Sequence, residues 1–404
     1  GLHGSTNNTR WWFMSFYLAM GFGMLVKGPV SIIIPLVGVI PYLTVTRQWK
    51  HFWQNGFPIL GAGLVIVVAA PWYVAMIQIH AEAYWAAAQA NTTGRFMNPM
   101  EGHGGTIFFY VPILLLGFFP WSAFLPSVLY QSLKKWKAYW NKQGLATRET
   151  NLEFFLSIWV VGLLIFFSLS ATRLPHYIYP LFPASAILVA LWWKRFQDMA
   201  LPPDWRVARW FLLVIGYVLG IAIIVAPAIF HQFIKQITKE FPAAAQVDFG
   251  WLPVIMGSVI LLGTLGIRLC LDSETKRSWA VGMAAGMMLV FGVFLVKGAL
   301  PVFHMYFLEP PQQLAAIAGF NLKKDDRLLQ VGRKRPSLSF YAQRKVYFLG
   351  PRDEKEWQMH LAASGKKMII LQTPLRQEIP GAVADWIVVL EHGGFSLLSS
   401  EPLL

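Results

Sequence analysis

Cysteine is almost absent from this sequence, since Cys270 is the only one among 404 residues. A single cysteine cannot form an intramolecular disulfide, and it cannot supply the several thiolates of a cysteine-based zinc site. The sequence therefore excludes a small domain held together by disulfides and a cysteine-rich zinc centre.

Charged residues are also scarce. Asp, Glu, Lys and Arg make up 13% of the chain, and apolar residues make up 56%, whereas a soluble protein carries about 25% charged residues. The first acidic residue is Glu82, and the first 200 residues contain five. No paired carboxylates and no HExxH pattern occur, and the spacing suggests no Ser-His-Asp set. This composition indicates a membrane protein with few carboxylates available for catalysis.

Positive charge is the exception, because the formal net charge is +14. Binding to nucleic acid would be one explanation. However, residues 1–302 contain 21 Lys and Arg against 10 Asp and Glu, whereas residues 303–404 contain 13 against 10. Most of the excess therefore lies between apolar segments, where positive charge fixes membrane topology. We expect no nucleic-acid partner.

Nine apolar segments have about the length of 17–25 residues that spans a bilayer. They cover residues 11–26, 29–46, 57–77, 106–130, 151–170, 175–193, 210–230, 251–271 and 279–302. The first two are separated only by Lys27-Gly28-Pro29 and could instead form one re-entrant unit. The sequence predicts a polytopic α-helical membrane domain over residues 1–302.

Lys and Arg are distributed unevenly between the two sets of loops. The set at 47–56, 131–150, 194–209 and 272–278 contains 13 basic residues, and the set at 27, 78–105, 171–174 and 231–250 contains five. Cytoplasmic loops carry the excess of Lys and Arg. We therefore expect the second set to face the outside.

The sequence changes character after residue 302. Four short β-rich runs, RLLQVG (327–332), KVYFLG (345–350), KKMIIL (366–371) and DWIVVL (385–390), alternate with the helical stretches PSLSFYAQ and PRDEKEWQMHLAAS. This alternation predicts a small α/β domain over residues 303–404, placed outside the membrane by the odd number of spans. No GxGxxG or Walker motif accompanies it, so nucleotide binding is unsupported.

Three polar residues stand out in the stretch SLSATRLPHYIYPLFPA (168–184): Arg173, His176 and Tyr177. On the same predicted face, Lys27 ends the first span in MLVKGP, where a lysine is costly unless it snorkels to the interface or meets an anion. Arg173 could grip a phosphate with its bidentate fork, or these residues could simply anchor the chain at the interface. Trp72, Trp121 and Tyr110, near other span ends, fit the same interfacial belt. The sequence leaves both alternatives open.

The predicted outer loop contains NTTGRFMNPMEGHGG. His103 among glycines, close to Glu101, is a candidate ligand for a divalent metal or a phosphate, although a loop histidine is more often merely solvated. Glu82 and Glu101 are weak candidates for a catalytic base on the outer face. Arg95 is a further candidate substrate contact. The sequence requires no cofactor, and a divalent metal is compatible with it.

Four stretches resemble, in order and spacing, the bacterial membrane glycosyltransferases related to protein O-mannosyltransferases, above all those that modify lipid A with aminoarabinose. They are GFGMLVKGPVSIIIP, APWYVAM, RF…H…FFYVPILLLGFFPWS and FFSLSATRLPHYIYPLFPA, and the resemblance covers residues 10–195. It implies a GT-C fold, a polyprenyl-phosphate sugar as donor, and a lipid A-like glycolipid or a protein as acceptor. It also implies an inner-membrane protein with its C-terminal domain in the periplasm.

Site residues carry over from the resemblance by motif. Lys27, Arg173 and Tyr177 match positions that line the lipid-phosphate cavity, and many relatives have Lys in place of Arg173. Relatives often have a Glu just before the RF element, where this chain reads AQANTTGRF. The family's catalytic aspartate lies in an external loop upstream of the region matched here. The resemblance therefore implies that N-terminal spans are missing and that this chain by itself is inactive.

Two rival functions remain. A transporter or flippase for lipid-linked sugars would use the same cations along a substrate path, although no inverted repeat is evident among the spans. A catalytically dead scaffold would use its soluble domain to bind a partner.

Overall fold

The computed structural model describes residues 6–98, 105–140, 147–198 and 205–402, and these are mostly helical. Helices dominate because a chain crossing hydrocarbon must satisfy its backbone hydrogen bonds within each segment. The helices before the sheet are α1 Thr6–Lys27, α2 Val30–Thr46, α3 Trp49–Asn55, α4 Pro58–Gln89, α5 Arg95–Met97, α6 Tyr110–Gly117, α7 Leu125–Lys134, α8 Trp136–Trp140, α9 Arg148–Leu169, α10 Leu181–Asp198, α11 Trp205–Gln232, α12 Ile234–Glu240, α13 Leu252–Asp272, α14 Trp279–Phe294, α15 Leu300–Phe303 and α16 Glu309–Asn321.

Five helical segments within the described residues are long and apolar enough to cross a membrane. A sixth is added if α6 and α7, which are bent by 116° at a short break, count as one broken span. The apolar helices α2 and α10 are shorter. Every predicted span falls on one of these helices, on the bent pair or on α1, so the polytopic helical architecture is confirmed.

The predicted outer loop at 78–105 is not a loop over its described part. Helix α4 continues to Gln89, and a π-helical turn and α5 extend the helical run to Met97. The sequence HAEAYWAAAQ consists largely of good helix formers, which explains the extension. The helix is nevertheless interrupted at Ala81, whose φ of 45° and ψ of −124° are not helical.

The chain divides into two compact units. The first contains residues 1–217 with 264–280, and the second contains residues 218–263 with 281–404. In the first unit, glycines let α2 and α9 pack closely, as is usual between membrane helices. A Cβ on Gly38 of α2 would lie 2.5 Å from the Trp159 ring, and a Cβ on Gly162 of α9 would lie 3.0 Å from Val37.

The second unit contains a five-stranded sheet. Its strands are β1 Arg327–Val331, β2 Val346–Leu349, β3 Lys367–Gln372, β4 Ile387–His392 and β5 Phe395–Ser399, in the order β2-β1-β3-β5-β4. Strand β1 is parallel to β2 and β3, whereas β5 is antiparallel to β3 and β4. Three short helices follow the strands: α17 Ser337–Tyr341, α18 Glu354–Leu361 and α19 Gly381–Ala384.

Alternate residues of the strands point to opposite faces of the sheet, as the period of two requires. On one face Leu328 belongs to a buried cluster with Leu314 of α16, and on the other Leu329 belongs to a cluster with Trp357 of α18. The four predicted strands are therefore confirmed. The fifth, β5, was missed, although it is buried along its whole length between β3 and β4.

The predicted boundary between residues 302 and 303 falls within a continuous helical run. Helix α15 ends at Phe303, a π-helical turn covers His304–Leu308, and α16 begins at Glu309. The boundary between a membrane domain and an α/β domain at this position stays a prediction.

Candidate functional site

The stretch between α9 and α10 is shaped by proline. Helix α9 ends at Leu169, Leu174 has an extended backbone, and Pro175–Ile178 forms a single 3₁₀ turn before α10 begins at Leu181. The residue before a proline is disfavoured in the helical region, and proline suits the first position of a helical turn. The interruption holds Arg173, His176 and Tyr177 between two helix ends.

Lys27 approaches this turn from the end of α1. Its Nζ lies 5.4 Å from the centroid of the Tyr177 ring, within the range of a cation–π contact. The next residue, Gly28, has a φ of +69°, a left-handed conformation that glycine adopts without strain. This residue lets the chain turn from α1 into α2 immediately after Lys27.

Tyr177 has aromatic neighbours besides the lysine. The ring of Phe167 lies 5.9 Å away and that of His176 lies 5.0 Å away, between centroids. Lys27 is exposed and, among the residues that the structure describes, forms no ion pair with an acidic side chain. The lysine is thus positioned by a ring and keeps its charge available.

Arg173 is held by backbone carbonyl oxygens. Its Nη1 donates to the oxygen of Gly105, and its Nη2 donates to the oxygen of Ser168 at 3.0 Å. Its Nε is buried and has no hydrogen-bond partner within the described ranges. The guanidinium therefore joins the segment before α6 to the end of α9, in keeping with the anchoring alternative.

Backbone hydrogen bonds tie the same turn to the region of Arg95. The amide of Ala171 donates to the oxygen of Phe96 at 2.8 Å, and the amide of Thr172 donates to the oxygen of Arg95 at 3.0 Å. The Thr172 hydroxyl donates to the oxygen of Asn98 at 2.9 Å. The Arg95 side chain itself donates from Nε to Asn91 Oδ1 at 3.1 Å. The backbone of Arg95 therefore contacts the turn. Its side chain instead bonds to a residue one helical turn earlier in the same segment.

The candidate carboxylate and metal sites receive less support. Glu82 is exposed, and no ion pair between it and Lys27, Arg95 or Arg173 occurs in the described part of the chain. Glu101 and His103 lie outside the described residues. Within the described ranges, no group of three or more His, Cys, Asp or Glu side chains could hold a metal ion.

Sequence reasoning missed two parts of this site and misjudged a third. Phe167 and the carbonyl of Gly105 carry no local signal, because their roles arise only when distant segments meet. Tyr110 was expected at the membrane interface, and this prediction is wrong, since it is fully buried with its ring 5.1 Å from that of Phe109 and 6.3 Å from that of Phe167. It packs beneath the turn instead of facing lipid headgroups.

The cluster formed by Lys27, Arg173, His176 and Tyr177 is chemically simple. It combines the positive charges of Lys27 and Arg173 with the His176 imidazole and the Tyr177 ring, and it contains no carboxylate among the described contacts. Such a cluster can bind an anion and stabilise negative charge on a departing group, but it contains no carboxylate base among the described residues.

Comparison with known proteins gives a consistent result. The family model of dolichyl-phosphate-mannose-protein mannosyltransferase matches residues 3–85. The undecaprenyl phosphate-alpha-4-amino-4-deoxy-L-arabinose arabinosyl transferase of Pectobacterium atrosepticum is 25% identical over 380 residues, covering 88% of this chain and 63% of that protein. The enzyme of the same name from Edwardsiella ictaluri is 26% identical over 411 residues, covering 95% of this chain and 69% of that protein. This chain thus spans about two thirds of the length of these relatives.

Solved structures show the same fold. The crystal structure of ArnT from Cupriavidus metallidurans bound to undecaprenyl phosphate matches with a TM-score of 0.70 and 22% identity, covering 99% of this chain and 70% of that one. The apo structure of the same protein matches equally well. The motifs, the fold and the relatives agree, and the chain is similar to the GT-C membrane glycosyltransferases related to protein O-mannosyltransferases.

Proposed function

We propose that this chain binds a polyprenyl phosphate at the cluster of Lys27, Arg173, His176 and Tyr177, as part of a glycosyltransferase that takes its sugar from this lipid. The observation that best supports this proposal is the position of the Lys27 ammonium. It lies 5.4 Å from the centroid of the Tyr177 ring and has no acidic partner among the described residues. A lysine at the end of an apolar helix is costly, and an anionic headgroup offsets this cost. The names of the relatives, all arabinosyl transferases, support this function over that of a flippase.

Arg173 has two tasks in this proposal. Its hydrogen bonds to Gly105 and Ser168 fix the guanidinium, and an arginine presents five donors. The second N–H groups of Nη1 and Nη2 then contact the phosphate without further ordering of the side chain, which is the advantage of a fixed fork over a flexible lysine. Arg95 is placed by its backbone beside this turn and contributes charge at the edge of the site.

The reaction is the one that the resemblance to the relatives implies. A carboxylate base takes the proton of an acceptor hydroxyl, the oxygen attacks the anomeric carbon, and the polyprenyl phosphate leaves. Lys27 and Arg173 stabilise the negative charge on the leaving phosphate, and one such group contributes about 10²–10³ in rate. Glu82 and Glu101 are the acidic residues of the predicted outer face nearest in sequence to this site, and we assign the base to neither.

The acceptor and the orientation are part of the same proposal. A lipid A-like glycolipid is the acceptor favoured by the relatives' names, with a protein as the other class. We propose that the cluster and the α/β region lie at the periplasmic face of the inner membrane, and the 13-to-5 distribution of basic residues supports this orientation.

Phosphate recognition is tested directly by comparing two lipids that differ only in the headgroup. Solubilised protein is titrated with undecaprenyl phosphate and with undecaprenol, and the bound fraction is measured by native mass spectrometry. Hydrogen bonds to a charged group contribute about 1.5–3 kcal/mol each, so the phosphate should bind at least about tenfold more tightly. Equal affinity for the two lipids would show that the site recognises only the isoprenoid chain, and the proposal would fail.

A further inference from the structure

A second cluster of cations lies in the other unit, at the carboxyl edge of the parallel strands. Strands β1, β2 and β3 are parallel, so the turns that follow them meet at one edge of the sheet. The turn after β1 reads Gly332-Arg333-Lys334-Arg335. Strands β2 and β3 lie on opposite sides of β1. The carboxyl edge of β1 is therefore a topological switch point, where open α/β sheets generally bind ligands.

A buried glutamine fixes the shape of this turn. Gln330 is 3% exposed; its Nε2 donates to the oxygen of Arg333 at 2.6 Å, and its Oε1 accepts from the amide of Arg335 at 2.9 Å. Gly332 has a φ of +98°, so the turn needs a residue without a Cβ at this position. The basic turn is thus preformed.

Arg335 is held between two rings. Its guanidinium carbon lies 5.2 Å from the centroids of Phe241 and Phe395. Burial lowers the pKa of this guanidinium from its ordinary value, and the charge of Glu240 opposes the change. The cation is therefore a fixed structural member of the site.

Glu240, at the end of α12, accepts polar contacts from this turn and from the end of β3. Its carboxylate pairs with Arg333, and its backbone oxygen accepts from Arg335 Nη2 at 2.8 Å and from Gln372 Nε2 at 2.9 Å. The Glu240 carboxylate is thus an internal anion that contacts Arg333, where the phosphate of a ligand could bind instead.

The pair between Glu240 and Arg333 is open to solvent. The side chain of Arg333 is 69% exposed and that of Glu240 is 33% exposed, and such pairs contribute little to stability. Lys334 is exposed and forms no ion pair within the described residues. A phosphate carries more charge than a carboxylate and accepts bidentate bonds from arginine. A phosphate can therefore displace the Glu240 side chain while Arg335 and Gln372 keep the backbone in place.

We propose that Arg333 and Lys334, on the turn fixed by Gln330 and Arg335, form a second anion site that takes a phosphate of the acceptor glycolipid in exchange for the Glu240 carboxylate. The location favours a lipid, since Glu240 follows the end of the membrane-spanning α11 by only one short helix. This inference rests on the proposed function, because it assigns the acceptor of the same reaction. All residues of this site belong to the second unit.

Binding of diphosphoryl lipid A to the solubilised chain tests the proposal. The double variant Arg333→Ala with Lys334→Ala should lower the affinity at least about tenfold, the effect of losing one charge-assisted contact. Glu240→Gln removes the competing carboxylate and should raise the affinity about two- to fivefold, as expected for one solvent-facing ion pair. A competition with inorganic phosphate tests the other source of this chemistry, and millimolar phosphate that fully displaces the lipid would identify the site as one for the free ion.

The control is a pair of lysines at the opposite edge of the sheet. Lys323 and Lys324 are exposed and precede β1. Replacing both with alanine therefore removes two positive charges, as the first double variant does, and leaves the turn after β1 unchanged. An equal loss in the two double variants, or no gain with Glu240→Gln, would overturn the proposal. Undecaprenyl phosphate binding is measured in parallel and should be unchanged by Arg333→Ala with Lys334→Ala. If the wild type fails to bind that lipid, the proposed function fails independently.

Discussion

Replacement of Lys27 is the sharpest test of the polyprenyl-phosphate cluster. The lysine is exposed at the end of α1 and contacts the face of Tyr177. Lys27→Ala removes one charge-assisted contact to phosphate, and such a contact contributes about 1.5–3 kcal/mol. We expect the affinity for undecaprenyl phosphate to fall about 10- to 150-fold, while the affinity for undecaprenol stays the same.

The ring beneath the lysine gives a second, smaller effect. Tyr177→Phe keeps an aromatic face and should bind the phosphate nearly as well as the wild type, provided that the hydroxyl makes no contact with it. Tyr177→Leu removes the cation–π contact, which at an exposed position contributes about 0.5–1 kcal/mol. The expected loss is therefore about two- to fivefold, through poorer positioning of Lys27.

A matched control exists in the same chain. Lys134 lies with its Nζ 5.9 Å from the centroid of the Tyr130 ring, in a loop predicted to be cytoplasmic. Lys134→Ala removes a charge from the same kind of pair, and it should leave the binding of undecaprenyl phosphate unchanged. Both variants are measured by titration in the same detergent, with folded protein quantified by gel filtration. Equal effects of Lys27→Ala and Lys134→Ala would refute the reasoning, because the effect would then be one of net charge only.

Three further predictions address the anchor, the topology and the sheet. Arg173→Ala should lower polyprenyl-phosphate binding per folded molecule by about tenfold or more, with Arg173→Lys retaining part of it, whereas a purely structural anchor would lower the folded yield and leave normalised binding intact. In a Cys270→Ser background, a cysteine at Asn91 should react with a membrane-impermeant maleimide in spheroplasts, and one at Thr275 should react only after permeabilisation; the reverse pattern would invert the topology. Burial and the nearby Arg327 charge lower the pKa of His360. The unfolded state therefore binds more protons below about pH 6.5, and the stability of the folded state falls as the pH drops through that range. His360→Gln should reduce the shift in melting temperature between pH 7.5 and pH 5, and an unchanged shift would show that other groups cause it.

Local patterns in the sequence predicted most of the helices and strands. Apolar runs of bilayer length locate the spans because each must satisfy its own backbone hydrogen bonds, and alternating β-rich runs gave β1 to β4. The extension of α4 beyond the predicted span was missed because the stretch after Ile79 is not a continuous apolar run, whereas its alanines continue the helix through intrinsic propensity. Strand β5 was missed because FSLLS is short and follows Gly393-Gly394, which resembles an ordinary turn until β3 and β4 pair on its two sides.

The cluster at the turn was only half determined by the sequence. The motifs identified Lys27, Arg173 and Tyr177 as candidate site residues on one predicted face. A charged residue in an apolar chain is costly and therefore indicates a functional position. The contact of Lys27 with Tyr177 and the bonds from Arg173 to Gly105 and Ser168 required the folded chain, as did the pairing of Glu240 with Arg333 in the second unit. Each of these contacts except the bond to Ser168 joins residues far apart in the sequence. No local sequence pattern predicts such a contact. Packing of distant segments alone decided which cations keep a free charge and which are bound to the backbone.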